Sequence, residues 1–415
     1  MTRLLIVEEA LRNREGHWFE YNRATKAAVQ EADTVQVDML GHQAMEPDVA
    51  EELGATPHFR YTVWDQIYNQ PQAFLRYWGI IQHNYRLHHD LTAYLKSADP
   101  YHTVFAPTVV LHHLAGYHKI AQQFAGSRFG QLVLLIRNNI ALYGSDGERT
   151  FRRTSVFWRW AIQRFAPYLA DGRVRFVTDS ERLADEYEEL TGIRFEVLPH
   201  PSLVGLSGSS DPEASVPNQS SSPVQVFLPG PARQEKGVVR LLEAAKLLEN
   251  ETLQRPIEIT LQWRESFDLP DGTSIGPDDV ASFESGQVRF KVIRQPLSSE
   301  EYLSELSNAD LIILPYLREV YYARISGVAV EAMMLGIPLL FTTNTWIATA
   351  CADFQLGVPM ENDAAGVATA LRNTLDRLDE VSNHAQENRN AVSQFFSPQA
   401  FSGKLMGRSA ALVGR

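Results

Sequence analysis

The sequence has little cysteine and no excess of basic charge. Cys351 is the one cysteine among 415 residues, which excludes an internal disulfide, a zinc finger and a CxxC redox pair. We therefore expect a reducing compartment. Acidic residues outnumber basic ones by 50 to 38, and the net charge of −12 argues against a general affinity for nucleic acid. No nucleic-acid partner is expected.

Long apolar runs and several well-known motifs are also lacking. The apolar run near the start, Leu4–Val7, is shorter than the roughly 7–15 residues of a signal peptide, and no run approaches the ~18–20 residues that span a bilayer. The patterns GxxxxGK[ST], GxGxxG and GxSxG do not occur, so a P-loop NTPase, the standard dinucleotide fingerprint and an α/β-hydrolase gain no support. We expect a cytoplasmic protein.

Short apolar runs alternate with longer helical patterns along the whole chain. Several runs, such as Leu311–Leu314, are continuously apolar, which is typical of parallel strands covered on both faces. The pattern predicts an α/β fold with right-handed crossovers. The predicted strands are Arg3–Val7, Thr34–Met39, Thr103–Val109, Leu132–Ile136, Val174–Thr178, Phe195–Leu198, Val224–Leu228, Ile257–Trp263, Val288–Ile293, Leu311–Pro315 and Pro338–Thr342.

A segment rich in serine and proline divides the chain nearly in half. It has almost no apolar side chains to bury, so it is interpreted as a linker or a loop. Each half has enough predicted strands for its own doubly wound sheet. We predict an N-terminal Rossmann-like domain over residues 1–205, the linker over 206–223, a C-terminal Rossmann-like domain over 224–395 and a terminal helix over 396–415.

The stretch Leu228–Gly237 joins a predicted strand to a predicted helix through a turn of glycine and proline. Arg233 and Lys236 lie at the start of the helix, where backbone N–H groups and the helix dipole also favour an anion. The pattern indicates an anion site. A solvated turn with two surface cations is the other interpretation.

A second stretch, Ala309–Pro338, has a similar organisation. A buried strand leads to a loop, and Ser326-Gly327 opens a helix whose small residues let a phosphate approach the free N–H groups. Glu331 lies one turn into this helix, where a carboxylate can accept two hydroxyl hydrogen bonds from a ribose. The alternative role for Glu331 is to complement the helix dipole.

Together, the two stretches resemble those of the retaining GT-B glycosyltransferases of family 4. Lys236-Gly237 and Glu331-Ala332 match the family's motifs directly, and the resemblance covers most of Val224–Asp363. It extends more loosely to Val174–Pro201. It implies two Rossmann-like doubly wound parallel-sheet domains facing a central cleft, with residues 396–415 returning to the first domain.

The resemblance also implies an activity and its residues. The donor is a nucleotide-diphosphate sugar, the acceptor is unidentified, and transfer is of the hexosyltransferase type (EC 2.4), with retention and without a metal or cofactor. Arg233 and Lys236 are the implied catalytic residues, since they would stabilise the leaving diphosphate. His17, Trp18 and Arg137 are candidates for the acceptor or sugar pocket. The implied donor-binding residues are Gly16, Gly230, Arg294, Gln295, Pro296, Arg324, Ser326, Gly327, Val328 and Glu331.

The sequence departs from the family's pattern at two positions. Pro231 stands where the family usually has arginine after the turn glycine, and Ala323 stands where it has a glutamate that contacts the donor sugar. Arg324, beside that gap, could reach the phosphates instead, or be a surface residue. Two alternatives to a transferase therefore stay open: a non-catalytic nucleotide-sugar-binding protein of the GT-B type, and a GT-B sugar-nucleotide epimerase.

Two further features of the first half invite interpretation. His112, His113 and His118 superficially resemble a metal cluster, but no nearby carboxylate completes it, so helical packing is expected. Residues 145–165 are predicted to form one amphipathic helix, with five arginines between Arg149 and Arg164 in one arc and aromatics in another. Its aromatics would face the core. A second interpretation is a basic face for a membrane surface or an anionic acceptor.

Overall fold

The computed structural model describes residues 2–14, 17–32, 35–70, 72–144, 146–204, 223–249, 251–283 and 286–407, which form two compact units. Unit 1 runs to Leu142, resumes at Thr150 and includes the end of the chain from Phe396. Unit 2 contains Tyr143–Arg149 and extends to Phe395. The predicted linker over 206–223 lies, apart from its last residue, outside the described residues.

Unit 1 is built on a seven-stranded parallel sheet in the order β3-β2-β1-β4-β5-β8-β9, while β6 and β7 form a separate pair. The side chains of Leu4–Ile6 and Leu132–Leu135 are fully buried, because helices cover both faces of this sheet. The strands are β1 (Thr2–Val7), β2 (Val35–His42), β3 (Ala55–Phe59), β4 (Tyr101–Ala106), β5 (Phe129–Leu135), β6 (Ala141–Tyr143), β7 (Arg149–Phe151), β8 (Val174–Thr178) and β9 (Glu196–Val197).

Among the described residues up to Val204, seven helices accompany these strands. A π-helical turn at Trp64–Tyr68 and a 3-10 turn at Leu111–His113 precede the third and fourth of them. The helices are α1 (His17–Ala32), α2 (Pro47–Leu53), α3 (Ala73–Ser97), α4 (Leu114–Phe124), α5 (Ser155–Gln163), α6 (Ala166–Ala170) and α7 (Glu181–Thr191). No helix among the described residues is long and apolar enough to cross a bilayer.

The prediction of one helix over residues 145–165 is wrong. Arg149 lies in strand β7, and α5 begins only at Ser155. The cause is a turn before β7: Gly147 has φ +87°, and the carboxylate of Asp146 accepts a hydrogen bond from the backbone N–H of Glu148. Asp-Gly is a favoured hairpin turn, and it outweighs the helical periodicity of the arginines.

Unit 2 is built on a six-stranded parallel sheet in the order β14-β11-β10-β15-β16-β17, with a small antiparallel pair, β12 and β13. Its central strand β15 is the continuously apolar run Leu311–Leu314 that the sequence predicts, whereas the neighbouring β10 includes Gln225. The strands are β10 (Val224–Pro231), β11 (Ile257–Gln262), β12 (Phe267–Asp268), β13 (Ser274–Ile275), β14 (Val288–Ile293), β15 (Leu311–Leu314), β16 (Leu339–Thr342) and β17 (Val358–Met360).

The helices of unit 2 begin and end at recognisable caps. Ser298 and Glu301 form a reciprocal capping box before α9, and Gly336, with φ +70°, ends α11. The helices are α8 (Val238–Leu248), α9 (Ser299–Ser307), α10 (Arg318–Tyr321), α11 (Gly327–Leu335), α12 (Trp346–Asp353), α13 (Ala364–Leu375) and α14 (Leu378–Phe395), with 3-10 turns at Gln234–Lys236 and Pro277–Phe283.

The last helix, α15 (Pro398–Leu405), packs on α1 in unit 1. Phe401 and Leu405 are fully buried members of the unit 1 core. The guanidinium of Arg175 in β8 donates to the backbone oxygens of Lys404 and Leu405 at 2.7 and 3.1 Å. The end of the chain is therefore part of the unit 1 core, and residues 408–415 lie outside the described residues.

We expect Phe401→Ala to lower the free energy of unfolding of unit 1 by about 3–5 kcal/mol, because it leaves a cavity in a packed core. Phe395→Ala is the matched control: this ring is 50% exposed, and its loss should cost roughly 0.5 kcal/mol. Urea unfolding of both variants tests the prediction. Equal effects would show that α15 does not stabilise the unit.

Candidate functional site

Each parallel sheet has one place where the chain reverses its direction of winding. In unit 1 it lies between β1 and β4, and in unit 2 between β10 and β15. The loops after two such strands diverge and leave a crevice at the carboxyl edge, where open α/β sheets bind their ligands. The two crevices are therefore the candidate positions for a ligand-binding or catalytic site.

The turn after β10 forms around the amine of Lys236. Nζ donates to the backbone oxygen of Pro229 at 2.9 Å and lies 5.8 Å from the ring centre of Tyr316. Gly230 has φ +78°, and a Cβ there would lie 2.4 Å from Nζ. Glycine at position 230 therefore leaves the space that the amine occupies.

Gly237 joins this turn to the end of β15. It has φ +73°, and a Cβ at this position would lie 1.8 Å from the backbone oxygen of Pro315. Only glycine combines this backbone conformation with so close an approach. The contact holds Lys236 beside the residues that follow β15.

Three cations converge at the β10/β15 crevice. Burial, together with the charges of Arg233 and Arg324, lowers the pKa of Lys236 to about 7, and Glu235 offsets part of this effect. Arg233 lies 3.6 Å from Glu235, and Arg324 lies over the ring of Tyr321 at 5.4 Å. Within the described ranges, no carboxylate forms an ion pair with Lys236 or Arg324. With three basic side chains and one paired acid, the site keeps a net positive charge and suits an anion.

The amino end of α11 lies after β15, as predicted. The Ser326 hydroxyl accepts a hydrogen bond from the N–H of Ala329 at 3.4 Å, and Gly327 and Val328 form the first turn. One turn further, Glu331 Oε2 accepts a hydrogen bond from the Tyr302 hydroxyl at 2.6 Å. Tyr302 comes from α9, and no sequence pattern pointed to it.

The two departures from the family pattern have different surroundings. Ala323 is fully buried, so this position presents no polar group. Pro231 is exposed at the end of β10, and Arg324 is exposed beside the crevice. Arg324 adds positive charge near Lys236, where the usual arginine is replaced by Pro231. Nothing in the immediate sequence replaces the glutamate that is missing at position 323.

The residues after β14 lie at the far side of the sheet. Arg294 forms an exposed ion pair with Asp278, and the backbone oxygen of Gln295 accepts a hydrogen bond from Gln262 at 3.4 Å. A groove of about 420 Å³ opens beside them, bordered by Gln295 and by glutamates of α9. Arg294 is therefore paired with an acid, whereas Gln295, which precedes Pro296, borders the groove.

The β1/β4 crevice of unit 1 contains buried carboxyl groups. Glu8 follows β1 directly, and its Oε2 accepts a hydrogen bond from the Thr108 hydroxyl at 2.6 Å. Burial raises the pKa of Glu8 to about 7, against the lowering effects of Thr108 and Arg137. The pair Glu8-Glu9 was not singled out in the sequence, although its place directly after the first strand was a usable signal.

The expectation that no carboxylate joins the histidines is wrong for His113. Glu9 Oε1 lies 3.1 Å from His113 Nε2, and Glu9 Oε2 lies 3.2 Å from His83 Nε2 of α3. All three residues are buried, and their ligand-type atoms lie within 4.8 Å of one another. Burial would raise the pKa of Glu9, but the two imidazoles lower it below its ordinary value.

The hydrogen bonds of this triad favour a structural role over a metal site. The backbone N–H of Val110 points to His113 Nδ1 at 3.1 Å, so that nitrogen is an acceptor and the ring proton sits on Nε2, facing Glu9. A metal on Nε2 would need the proton on Nδ1, against the Val110 N–H. Glu9 also accepts the N–H of Val63 at 2.6 Å. The triad therefore ties α3 and the Leu111–His113 turn to the end of β1.

The other candidates in unit 1 are only partly brought together. Gly16 lies outside the described residues, and His17 is the first residue of α1. Trp18 packs on Trp64 with ring centres 5.8 Å apart. Arg137 lies over the ring of Tyr21 at 4.3 Å, which places it against α1.

Comparison with known proteins identifies the fold. No family model and no curated protein matches the sequence. Among solved structures, the chain is similar to sucrose-phosphate synthase from Thermosynechococcus elongatus (16% identity, 98% of each chain, TM-score 0.62). It is also similar to HepE from Anabaena in complex with UDP-glucose (12%, 99% and 100%, 0.59) and to a glycosyltransferase from Rickettsia africae (11%, 98% and 97%, 0.63). The predicted fold class, two parallel-sheet α/β domains of the GT-B type, is confirmed.

The buried amine predicts an unusual dependence of stability on pH. Lys236 keeps its proton up to pH 10.5 in the unfolded chain but only up to about 7 in the folded one, so folding is penalised increasingly as pH falls from 10.5 to 7. We expect Lys236→Met to be more stable than the parent protein by roughly 4 kcal/mol at pH 7, with the difference vanishing near pH 10.5.

Urea unfolding at pH 7 and pH 10 measures this difference. Lys246→Met, on the exposed side of α8, is the matched control and should show no such change between the two pH values. A Lys236→Met variant that is less stable than the parent protein at pH 7 would contradict a desolvated amine.

Proposed function

We propose that this chain is a glycosyltransferase that takes its sugar from a nucleotide-diphosphate donor held on unit 2. The observation that supports this most strongly is the convergence of Lys236, Arg233 and Arg324 at the β10/β15 crevice, where Glu235, paired with Arg233, offsets only part of their charge. A diphosphate supplies the missing negative charge. Its position at the amino end of α11 adds backbone N–H donors from Ser326–Val328.

The same cations would serve the chemistry. The bond from the anomeric carbon to the diphosphate oxygen breaks, that oxygen keeps the electron pair, and the acceptor hydroxyl forms the new bond and releases its proton. Charge that develops on the leaving diphosphate meets preorganised donors, and the loss of one such donor typically costs about 10²–10³ in rate. Since three side-chain cations supply the charge, we propose that the transfer needs no divalent metal. Retention of configuration is proposed on the family resemblance.

Glu331 would hold the ribose. Its carboxylate lies one turn into α11, and Tyr302 fixes one of its oxygens with a 2.6 Å hydrogen bond. A fixed carboxylate accepts hydroxyl hydrogen bonds without first losing its own side-chain entropy. HepE, a neighbour with the same fold, is in complex with UDP-glucose, which makes uridine the first base to test.

Two ligands separate the role of Lys236 from that of Glu331. At about 100 times its dissociation constant, UDP should add about 2.7 kcal/mol of stability, in EDTA as in magnesium. Lys236→Ala should lose the stabilisation by both UDP and inorganic pyrophosphate, whereas Glu331→Gln should lose that by UDP alone. Thermal melting with each ligand provides the measurement.

Exposed residues of α8 provide the matched controls. Lys246→Ala and Glu243→Gln should keep both ligand shifts. Stabilisation of the Lys236→Ala variant by pyrophosphate would contradict a diphosphate site in this crevice. If GDP or ADP but not UDP stabilises the parent protein, the proposed donor site is retained and the nucleobase is guanine or adenine instead of uracil.

Binding should also take up a proton. The free protein loses the Lys236 proton above about pH 7, and a bound diphosphate raises the pKa of this amine, so affinity for UDP-glucose should fall by up to about tenfold per pH unit between pH 7 and 9. Calorimetry at pH 8 in two buffers of different ionisation enthalpy measures the proton uptake. Lys236→Met should show none, and uptake that persists in this variant would assign the proton to another group.

A reaction assay decides between the transferase and its alternatives. Incubation with UDP-glucose and candidate acceptors should give a glycosylated product. Interconversion of the donor sugar without acceptor would instead identify an epimerase. Ala323 motivates the remaining alternative, since a buried alanine offers the donor sugar no acid. Tight donor binding with no turnover over a broad acceptor panel would identify a binding protein.

A further inference from the structure

Helix α3 exposes a stripe of large apolar side chains. Phe74, Tyr77, Trp78, Ile81 and Tyr85 are between 57% and 73% exposed. Their spacing of three and four residues places them on one face, and this face extends over about 16 Å. We call these five residues the α3 stripe.

The α3 stripe is not the side on which the helix packs. The buried residues of α3 are Gly79, His83, Leu87, Leu91 and Leu95, which repeat every four residues on the opposite side. The Asn84 amide fixes the helix by donating to the backbone oxygen of His112 at 2.6 Å. The helix is therefore held by its inner face while five apolar side chains remain in solvent.

A second exposed apolar group lies in the same layer of helices. Val156, Phe157 and Trp160 of α5 are between 56% and 59% exposed. Helices α3 and α5 both pack against α4 and against the turn at Leu111–His113, which lie between them. The exposure of Phe157 and Trp160 shows that only part of the aromatic surface of α5 faces the core.

The two segments that present these side chains are positively charged. No acidic residue occurs between Asp65 and Asp90 or between Glu148 and Asp171, whereas the two intervals contain seven arginines. Such a local excess is unexpected in a chain whose net charge is −12. Arg152, Arg153 and Arg159 are exposed around the α5 aromatics, and Arg164 lies over the ring of Trp160 at 4.9 Å.

We propose that unit 1 docks on the surface of an anionic lipid bilayer, with the α3 stripe entering the interface and the arginines of residues 152–164 contacting lipid phosphates. Tyrosine and tryptophan are the side chains that favour the headgroup level, since their rings are apolar and their polar atoms stay hydrated. The stripe is a convex helix face, which fits a deformable bilayer. Self-association through this layer would bring arginines against arginines.

This proposal does not depend on the glycosyltransferase activity, because the docking requires no nucleotide. The test is flotation of the purified full-length chain with vesicles of phosphatidylcholine alone or with 30% phosphatidylglycerol. We expect binding to the anionic vesicles and at least tenfold weaker binding to the neutral ones, with a steep loss as salt increases.

Exposed positions allow variants that keep the fold. Trp78→Asp combined with Ile81→Asp should weaken vesicle binding at least tenfold, while Leu247→Asp, on an exposed apolar residue of unit 2, should not. Arg152→Gln and Arg153→Gln should each weaken it about fivefold and reduce its salt dependence. Arg289→Gln, exposed on β14, is the matched control for charge.

Three results would overturn the proposal. The first is no binding to anionic vesicles at low salt, and the second is binding that Trp78→Asp with Ile81→Asp leaves unchanged. The third is a concentration-dependent dimer, lost in the same double variant, in a protein that ignores vesicles, because the stripe would then be a contact between copies of this chain. Melting temperatures of all variants verify that they are folded.

Discussion

Parallel strand pairing places every carboxyl end of a sheet on one edge, and the chemistry of this protein depends on that constraint. Lys236 and Ser326 are far apart in sequence, yet both lie beside Tyr316, because β10 and β15 are neighbours whose loops leave in opposite directions. Because Gly237 has no Cβ, the turn after β10 can lie directly against the backbone oxygen of Pro315 at the end of β15. The same rule brings Glu8 and Thr108 together after β1 and β4.

Burial acts in opposite senses at the two crevices. In unit 2 burial lowers the pKa of the Lys236 amine, and the charges of the neighbouring arginines lower it further. A bound anion would reduce this repulsion and favour the protonated amine. In unit 1 burial favours the protonated form of Glu8, while Glu9 stays ionised because two imidazoles and a backbone N–H surround it. The first crevice keeps a net positive charge, whereas in the second the carboxylate of Glu9 lies against two imidazoles of the same unit.

Sequence reasoning reached the features that depend on local pattern. The continuously apolar strands and the amino end of α11 follow from residues adjacent in the chain. Strand β3, which contains proline and polar residues, and strand β17, with three residues, lack such a pattern. They form because a sheet edge is available to pair with them, which is a tertiary effect.

The site residues that directly follow a strand could be predicted from the sequence. Their hydrogen-bond partners from distant helices could not. Tyr302 reaches Glu331 from another helix, and His83 reaches Glu9 from the middle of α3, so neither has a local signal. The aromatics of α3 show a further limit. A helix with apolar residues on two faces gives the same periodicity as a buried one, and only the structure shows which face packs.

The departures at positions 231 and 323 have unequal consequences for the proposed donor site. Arg324 contributes positive charge near Lys236, so the loss of an arginine at Pro231 leaves the crevice cationic. Ala323 is fully buried, and its methyl group supplies no acid in place of the usual glutamate. A site of this kind would recognise the diphosphate and ribose strongly and the sugar weakly. Selection among donor sugars would then rest on groups other than the usual glutamate, and an acid introduced at the buried position 323 would carry the cost of desolvating its charge.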